Sequence, residues 1–242
     1  MARLRVLIAA AGRGTRAGLP YPKTLFVIRG QPILLRICDL LAEYDSMPTI
    51  VASPDGQEAI GQALGNAGRS ANLVVQHEPR GMGDAVLHFE QSPAARDAEH
   101  VLLIWGDIPF IHSDTVRAMV DRHLQADNDF TFVTRNVESA YTIVSRGREG
   151  RVTSVVETRE AGLTPRFGER DIGLFVFRCK PVFAALREDL PGKFGRSTRE
   201  HGFLYVISHL VARRLRVEAL PIGKEQDLIS FNQISDLAAV GD

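Results

Sequence analysis

VLIAAAGRGTRAGLPYPKTL, residues 6–25, decides the fold. Its first six residues are uninterruptedly apolar, as expected of a strand buried on both faces. Gly12 and Gly14 then break the strand, and without side chains there the backbone N–H groups can approach an anion closely. Arg13, Arg16 and Lys23 add fixed positive charge along the same loop, while Pro20 and Pro22 stiffen its return. A polyphosphate asks for these together: close main-chain donors, cationic clamps and little loop entropy. Two familiar phosphate loops do not fit. The G-x-G-x-x-G fingerprint needs a glycine where Ala17 stands, Gly18 arriving one residue late. The G-x-x-x-x-G-K-[ST] loop needs a glycine where Pro22 precedes Lys23.

Working outward, 242 residues that are 45% hydrophobic suffice for one large core. Lys plus Arg equal Asp plus Glu at 29 each, so the chain has no net field to draw it to nucleic acid or a membrane surface. Cys38 and Cys179 lack metal-ligand spacing, and a reduced, cytoplasmic protein is expected. The apolar start is too short to span a bilayer and runs straight into glycines. The seven histidines are scattered without an H-E-x-x-H pair, and no G-x-S-x-G elbow or activated cysteine is present. Trp105 reads as core.

Periodicity predicts strands at 49–52 and 73–76, with helices over 32–44, where Pro32 occupies the first turn, and over 55–67, capped by Asp55 and stopped by Gly68. Alternation of strand and helix implies parallel crossovers, hence an α/β sheet with ligands at the carboxyl ends of its strands. QHEPRGMGDAV at 76–86 leaves one strand through a Pro/Gly loop into a helix from 84 to about 91. VLLIWGDIP at 101–109 is a buried strand ending in Gly106-Asp107, where a carboxylate can meet magnesium carried by a triphosphate. A helix over 113–126 leads to a strand at 130–134. The chain then turns β-rich at 141–145, 152–156 and 172–177, with a hairpin turn at 148–151. A helix over 181–190, a polar loop over 191–200, a helix over 201–213 and a strand over 215–221 follow.

A-x-G-x-G-T-R at 10–16, P-K-x-L at 22–25 and Q-x-E-P-x-G-x-G-D-A-V at 76–86 together resemble the signature of the sugar-1-phosphate nucleotidyltransferases. The closest likeness is to the uridylyltransferase domain of the bifunctional N-acetylglucosamine-1-phosphate uridyltransferases, over residues 6 to about 237. The resemblance implies a Rossmann-like three-layer α/β fold with a mostly parallel central sheet and a β-rich acceptor-binding part. It implies one domain over 1–242, nucleotide-binding to about residue 135 and acceptor-binding from about 136. Carried over residue by residue, Ala10, Ala11, Gly12, Arg13, Gly14 and Thr15 line the nucleotide, and Gln76 and Gly81 meet the base. Arg16 and Lys23 are the catalytic cations, and Asp107 and Asn232 are the Mg2+ ligands. Thr142, Glu157, Asp171 and Gly173 face the sugar.

Departures gather on the acceptor side. Met82 stands where the family often has Thr, Thr142 replaces a glycine, Asp171 replaces an asparagine, and the 203–208 stretch keeps only Tyr205. The implied reaction joins an NTP, UTP first, to a sugar 1-phosphate with release of pyrophosphate. Three alternatives are a non-sugar, amine-bearing phosphate acceptor suggested by Asp171, a glycosyltransferase, and a non-catalytic nucleotide-sugar sensor. The single aspartate of Gly106-Asp107 counts against the glycosyltransferase, which commonly carries Asp-x-Asp. The hexapeptide-repeat acetyltransferase part of the bifunctional enzymes is not seen in this sequence. The partners implied are an NTP and a phosphorylated small molecule, with no nucleic acid and no membrane. The sequence leaves the oligomeric state open.

Overall fold

A computed structural model describes residues 3–12, 18–231 and 236. The chain opens with β1 (Leu4–Ala10), followed by a small hairpin, β2 (Val27–Ile28) and β3 (Gln31–Pro32), ahead of α1 (Ile33–Leu41). Next come β4 (Thr49–Ala52), α2 (Pro54–Asn66), β5 (Asn72–Val75), α3 (Met82–Glu90), β6 (His100–Trp105) and α4 (Ser113–Gln125). The β-rich stretch is β7 (Phe130–Ala140), β8 (Thr142–Arg146), β9 (Val152–Glu157), a one-turn α5 (Thr158–Ala161) and β10 (Arg166–Arg178). Finally, α6 (Cys179–Arg187), α7 (Val206–Ala212) and β11 (Val217–Leu220) close the fold.

Seven strands form one sheet in the order β11-β7-β10-β6-β1-β4-β5. Only β10 runs against its neighbours, β6 and β7; the pairs β1–β4, β1–β6, β4–β5 and β7–β11 are parallel. The expected mostly parallel sheet is therefore present. Strand side chains alternate between two cores, which makes the sheet the middle of three layers. Val6, Ile8, Leu102, Ile104, Leu174 and Val176 face α1, α2 and α4. Leu7, Val101, Leu103, Phe175 and Phe177 face α3, α6 and α7. On this second side Phe130, Phe132, Phe175, Phe177 and Phe203 form a ring cluster, with Phe175 and Phe203 edge-on at 5.4 Å.

Several boundaries differ from the sequence reading. Ser53 precedes α2 with Pro54 at its first position, and Asp55 lies within the first turn. Pro32 flanks α1, and α3 starts at Met82 because Gly81, at φ +100°, turns the chain into it. The 201–213 helix shrinks to α7, since Phe194 and His201 form an antiparallel bridge and Gly202 N–H donates to Lys193 O at 2.8 Å. β7 continues through residue 135, and β10 and β11 return to the main sheet. β8 and β9 form a separate antiparallel hairpin, closed by the turn foreseen near 148–151. Both cysteines are buried and free, and burial pushes their thiols up, to about 11 for Cys38 and about 12 for Cys179. No helix of the described residues is long and apolar enough to cross a membrane.

Candidate active site at the sheet switch point

β4 and β5 extend from one side of β1 and β6 from the other, so strand order reverses between β1 and β6. The carboxyl ends of strands at such a reversal form a crevice where ligands bind. Ala11 and Gly12, which follow β1, and the Gly106-Asp107 turn share that crevice. Gly106 is held where it is by close approach: a Cβ there would lie 2.7 Å from Ala9 O and 3.0 Å from Thr24 Cγ2, and its N–H donates to Ala9 O at 2.9 Å. Asp107 thus starts from a fixed backbone.

Lys23 reaches the same point from a 3-10 turn, Lys23–Leu25. Its Nζ donates to Asp107 Oδ2 at 2.5 Å, with the two side chains 14% and 16% exposed. On its way the lysine crosses Gly12, where a Cβ would lie 3.2 Å from Lys23 Cε. Asp107 Oδ1 is buried and accepts no hydrogen bond among the described residues. A buried carboxylate oxygen left unpaired is costly, and its hard anionic character suits a magnesium ion that takes one or two carboxylates plus phosphate oxygens. Among the described residues no three His, Cys, Asp or Glu side chains converge as a metal cluster, so further ligands to such an ion would come from elsewhere. Arg13, Gly14, Thr15, Arg16 and Asn232 lie outside the described residues. The residue before Asn232, Phe231, donates its N–H to Asp107 O at 2.7 Å and stacks on Phe26 at 4.5 Å.

Gln76 follows β5, and its side chain edges a narrow slot with Ala11, Ser53, Pro54, His77 and Pro79. Its Nε2 donates to Gly81 O at 3.0 Å and to Asp84 Oδ2 at 2.8 Å. Both partners are acceptors only, which fixes the amide's orientation and leaves Oε1 as the atom a ligand can meet. Gly81 lies against the 191–202 loop: a Cβ there would come within 2.5 Å of His201 O. At Gly83 a Cβ would come within 2.2 Å of Gly202 O, and Gly83 N–H donates to His201 O at 3.0 Å. The two glycines of G-x-G-D thus admit the return limb of that loop.

At the end of β6 lies a cleft of about 490 Å3, walled by the β8–β9 hairpin, the 192–205 stretch and Trp105. Thr142 and Glu157 both line it and face each other across the hairpin. Burial, then the neighbouring Asp171 and Glu160 charges, push the Glu157 carboxyl up. Asp171 and Gly173 sit deeper. Asp171 is fully buried, its Oδ1 accepting from Thr142 Oγ1 at 2.6 Å and its Oδ2 from Gly173 N–H at 3.0 Å. Burial raises its pKa, against the pull of those bonds. Gly173 has φ +79°, and a Cβ on it would strike Ile108 and Trp105 at 2.5 and 2.7 Å. Both residues shape the bulge of β10 against Trp105 and present no group to the cleft.

Three contributors escaped the sequence reading. Trp105, read as core, is half-buried at the end of β6 and lines the cleft. His201, read as helical, also lines it. Its Nε2 lies 3.3 Å from Tyr205 OH, which itself donates to Ala185 O, so the imidazole is the donor; burial, with Lys193 nearby, lowers its pKa to about 4. Glu160 Oε2 accepts from Ser197 N–H at 2.7 Å and holds the loop to α5. The one available sequence signal was the glycine density of 192–202, which marks close backbone packing.

Residues 6–201 match the family described as the MobA-like NTP transferase domain. The bifunctional protein GlmU of Novosphingobium aromaticivorans is 33% identical over 124 residues, 51% of this chain and 27% of that protein. GlmU of Nitratidesulfovibrio vulgaris is 29% identical over 237 residues, 96% of this chain and 50% of that protein. The chain thus spans half or less of these curated relatives. A crystal structure described as a candidate glucose-1-phosphate thymidylyltransferase of Bacillus anthracis, in complex with a sucrose, shares the fold. It has a TM-score of 0.76 at 16% identity, covering 98% of this chain and 93% of that one. With the match running from β1 through the Lys23–Asp107 meeting to His201, the chain belongs to the MobA-like NTP transferase family and is a nucleotidyltransferase.

Proposed function

We propose that the protein transfers a nucleotidyl group from an NTP, UTP first among them, to a sugar 1-phosphate, in a magnesium-dependent reaction that yields an NDP-sugar and pyrophosphate. The observation that carries this reading is the meeting of Lys23 and Asp107 at 2.5 Å at the carboxyl ends of β1 and β6. Ala11, next to Gly12, edges the Gln76 slot, and Trp105, two residues before Asp107, lines the Glu157 cleft. The glucose 1-phosphate named in the description of the thymidylyltransferase-like structure favours a sugar 1-phosphate as the acceptor.

The chemistry asks for positioning and charge rather than covalent work. An acceptor phosphate oxygen, already anionic at neutral pH, attacks the α-phosphorus; the bond from that phosphorus to the bridging oxygen breaks, and pyrophosphate leaves. Lys23 holds the acceptor and α-phosphates together, while Arg16 and the Gly12–Thr15 amides hold the departing pyrophosphate. Asp107, with Asn232 as the resemblance implies, would hold a magnesium ion, which would supply charge neutralisation at the α-phosphate. Each such contact is worth about 3 kcal/mol of transition-state stabilisation. Gln76 Oε1 accepts from a base edge, which the N3–H of uracil or thymine supplies. The carboxylate that suggested an amine-bearing acceptor, Asp171, is occupied by Thr142 and Gly173, so the neutral sugar reading is preferred. We read residues 1–242 as one domain, with the nucleotide side to about 135 and the acceptor side after it, working in the cytoplasm.

The test crosses the four NTPs against a panel of sugar 1-phosphates and phosphorylated amino alcohols, with pyrophosphate release as the readout. Release that needs UTP and one sugar 1-phosphate is expected. Release with an amino-alcohol phosphate alone would replace the sugar, and turnover of an NDP-sugar without pyrophosphate would replace the reaction.

A further inference from the structure

We infer that Lys23 keeps Asp107 closed to a bare divalent ion, so that metal and nucleotide phosphates enter the site together. This rests on the proposed reading of Asp107 as the metal-binding carboxylate.

The carboxylate has two oxygens, and they differ. Oδ2 accepts from Lys23 Nζ at 2.5 Å, whereas Oδ1 is buried without a hydrogen bond among the described residues. At 14% and 16% exposure, the two side chains are poorly screened by bulk water. A magnesium-sized ion bonds a carboxylate oxygen at about 2.1 Å, so on either oxygen of Asp107 it would lie a few ångströms from the ammonium. One negative charge would then face three positive ones. A bare dication therefore has to displace the lysine or stay out.

Nucleotide phosphates change this balance. They bring several negative charges to the crevice and offer the ammonium another partner. The lysine has room to leave: its Cε already lies over Gly12, where an added Cβ would sit only 3.2 Å away and a glycine leaves that space open. Rotation about the terminal side-chain torsions takes Nζ off the carboxylate without moving the backbone. Lys23 thus has two positions with two tasks. In the empty site it occupies the carboxylate; in the loaded site it bridges phosphates and leaves both carboxylate oxygens to the metal.

The test is Mn2+ binding to the nucleotide-free protein at pH 8, followed by the electron paramagnetic resonance signal of free Mn2+. Lys23→Met, which keeps an unbranched stem and removes the charge, is expected to bind Mn2+ at least tenfold more tightly than wild type. Lys23→Arg should match wild type, and Asp107→Asn should erase the gain in the Lys23→Met background. Lys23→Gln serves as a second neutral variant should the methionine compromise the thermal midpoint. Equal Mn2+ affinity in wild type and in the folded neutral variants would overturn the inference. The proposed function fails separately: pyrophosphate release that is unchanged in Asp107→Asn would sink the metal reading, whatever Lys23→Met does. Asp107-dependent tightening without release from any NTP and acceptor would leave the lysine lock standing and remove the proposed reaction.

Discussion

On the side proposed for the nucleotide, Gly12, Lys23, Gly106 and Asp107 are gathered by the ends of two adjacent parallel strands and one 3-10 turn. On the side proposed for the acceptor, the walls come from Trp105, the β8–β9 hairpin and a loop near residue 200. The first arrangement is set by sheet geometry and leaves little freedom. Gly106 admits no side chain, and Asp107 O is tied to Phe231 N–H. The second is held by side-chain bonds such as Glu160 to Ser197 and Thr142 to Asp171, which can change one residue at a time. Under the proposed function, phosphate chemistry would constrain the first side, whereas the second could diverge to suit another acceptor while the reaction stays the same.

If the nucleotide side is rigid, removing one of its contacts should cost selectivity rather than fold. Gln76→Ala deletes the fixed Oε1 acceptor, and discrimination of UTP over CTP is expected to fall by about 2 kcal/mol. That corresponds to about 30-fold in the ratio of kcat/KM values, with the thermal midpoint as the control. An unchanged ratio would mean that the base is read elsewhere.

Both sides share a frame that contains a buried histidine pair, His100 Nδ1 and His123 Nε2 at 2.9 Å, with His123 Nδ1 on Thr131 Oγ1. Burial, reinforced by His100, drives the His123 pKa from 6.5 down to about 3, and burial also lowers that of His100. The unfolded chain therefore binds protons between pH 6.5 and 3 that the folded chain refuses. The stability tied to this pair is full above about pH 6.5 and declines as the pH falls. His123 alone removes about 2 kcal/mol by pH 5, at 1.36 kcal/mol per pH unit. Denaturant titrations at pH 7 and pH 5 measure this, and His123→Gln should flatten the difference.

On the acceptor side a smaller and more selective change is expected. Glu157→Gln removes a carboxylate whose pKa is already raised, and should raise the acceptor KM about threefold, ~0.65 kcal/mol, with the nucleotide KM unchanged. A matching rise in both constants would mean that the two sides are not separable.

The legibility of the sequence followed the same division. The 6–25 stretch and Gly106-Asp107 could be read because a strand buried on both faces is continuously apolar and its exit must be small and polar. The parallel order followed from strand-helix alternation. The length of β10 could not be read, since its first residues, RFGERD, pair with the polar end of β7 and carry no apolar period. His201 looked helical because its neighbours repeat at helical spacing, yet Gly83 and Lys193 claim its segment for extended packing. Asp171 looked like a ligand group because its family counterpart is one. Its burial under Thr142 depends on a partner 29 positions away that no local pattern announces.

The measurement that tests the account most directly is magnesium-dependent pyrophosphate release by Asp107→Asn, beside wild type, with UTP and the best sugar 1-phosphate of the panel. The near-isosteric amide keeps the shape of the site and removes the charge that Lys23 and a metal would share. A fall of about 1000-fold in kcat, on the order of 4 kcal/mol, with an unchanged fold by circular dichroism is the predicted result. Release at the wild-type rate would contradict the account at its centre.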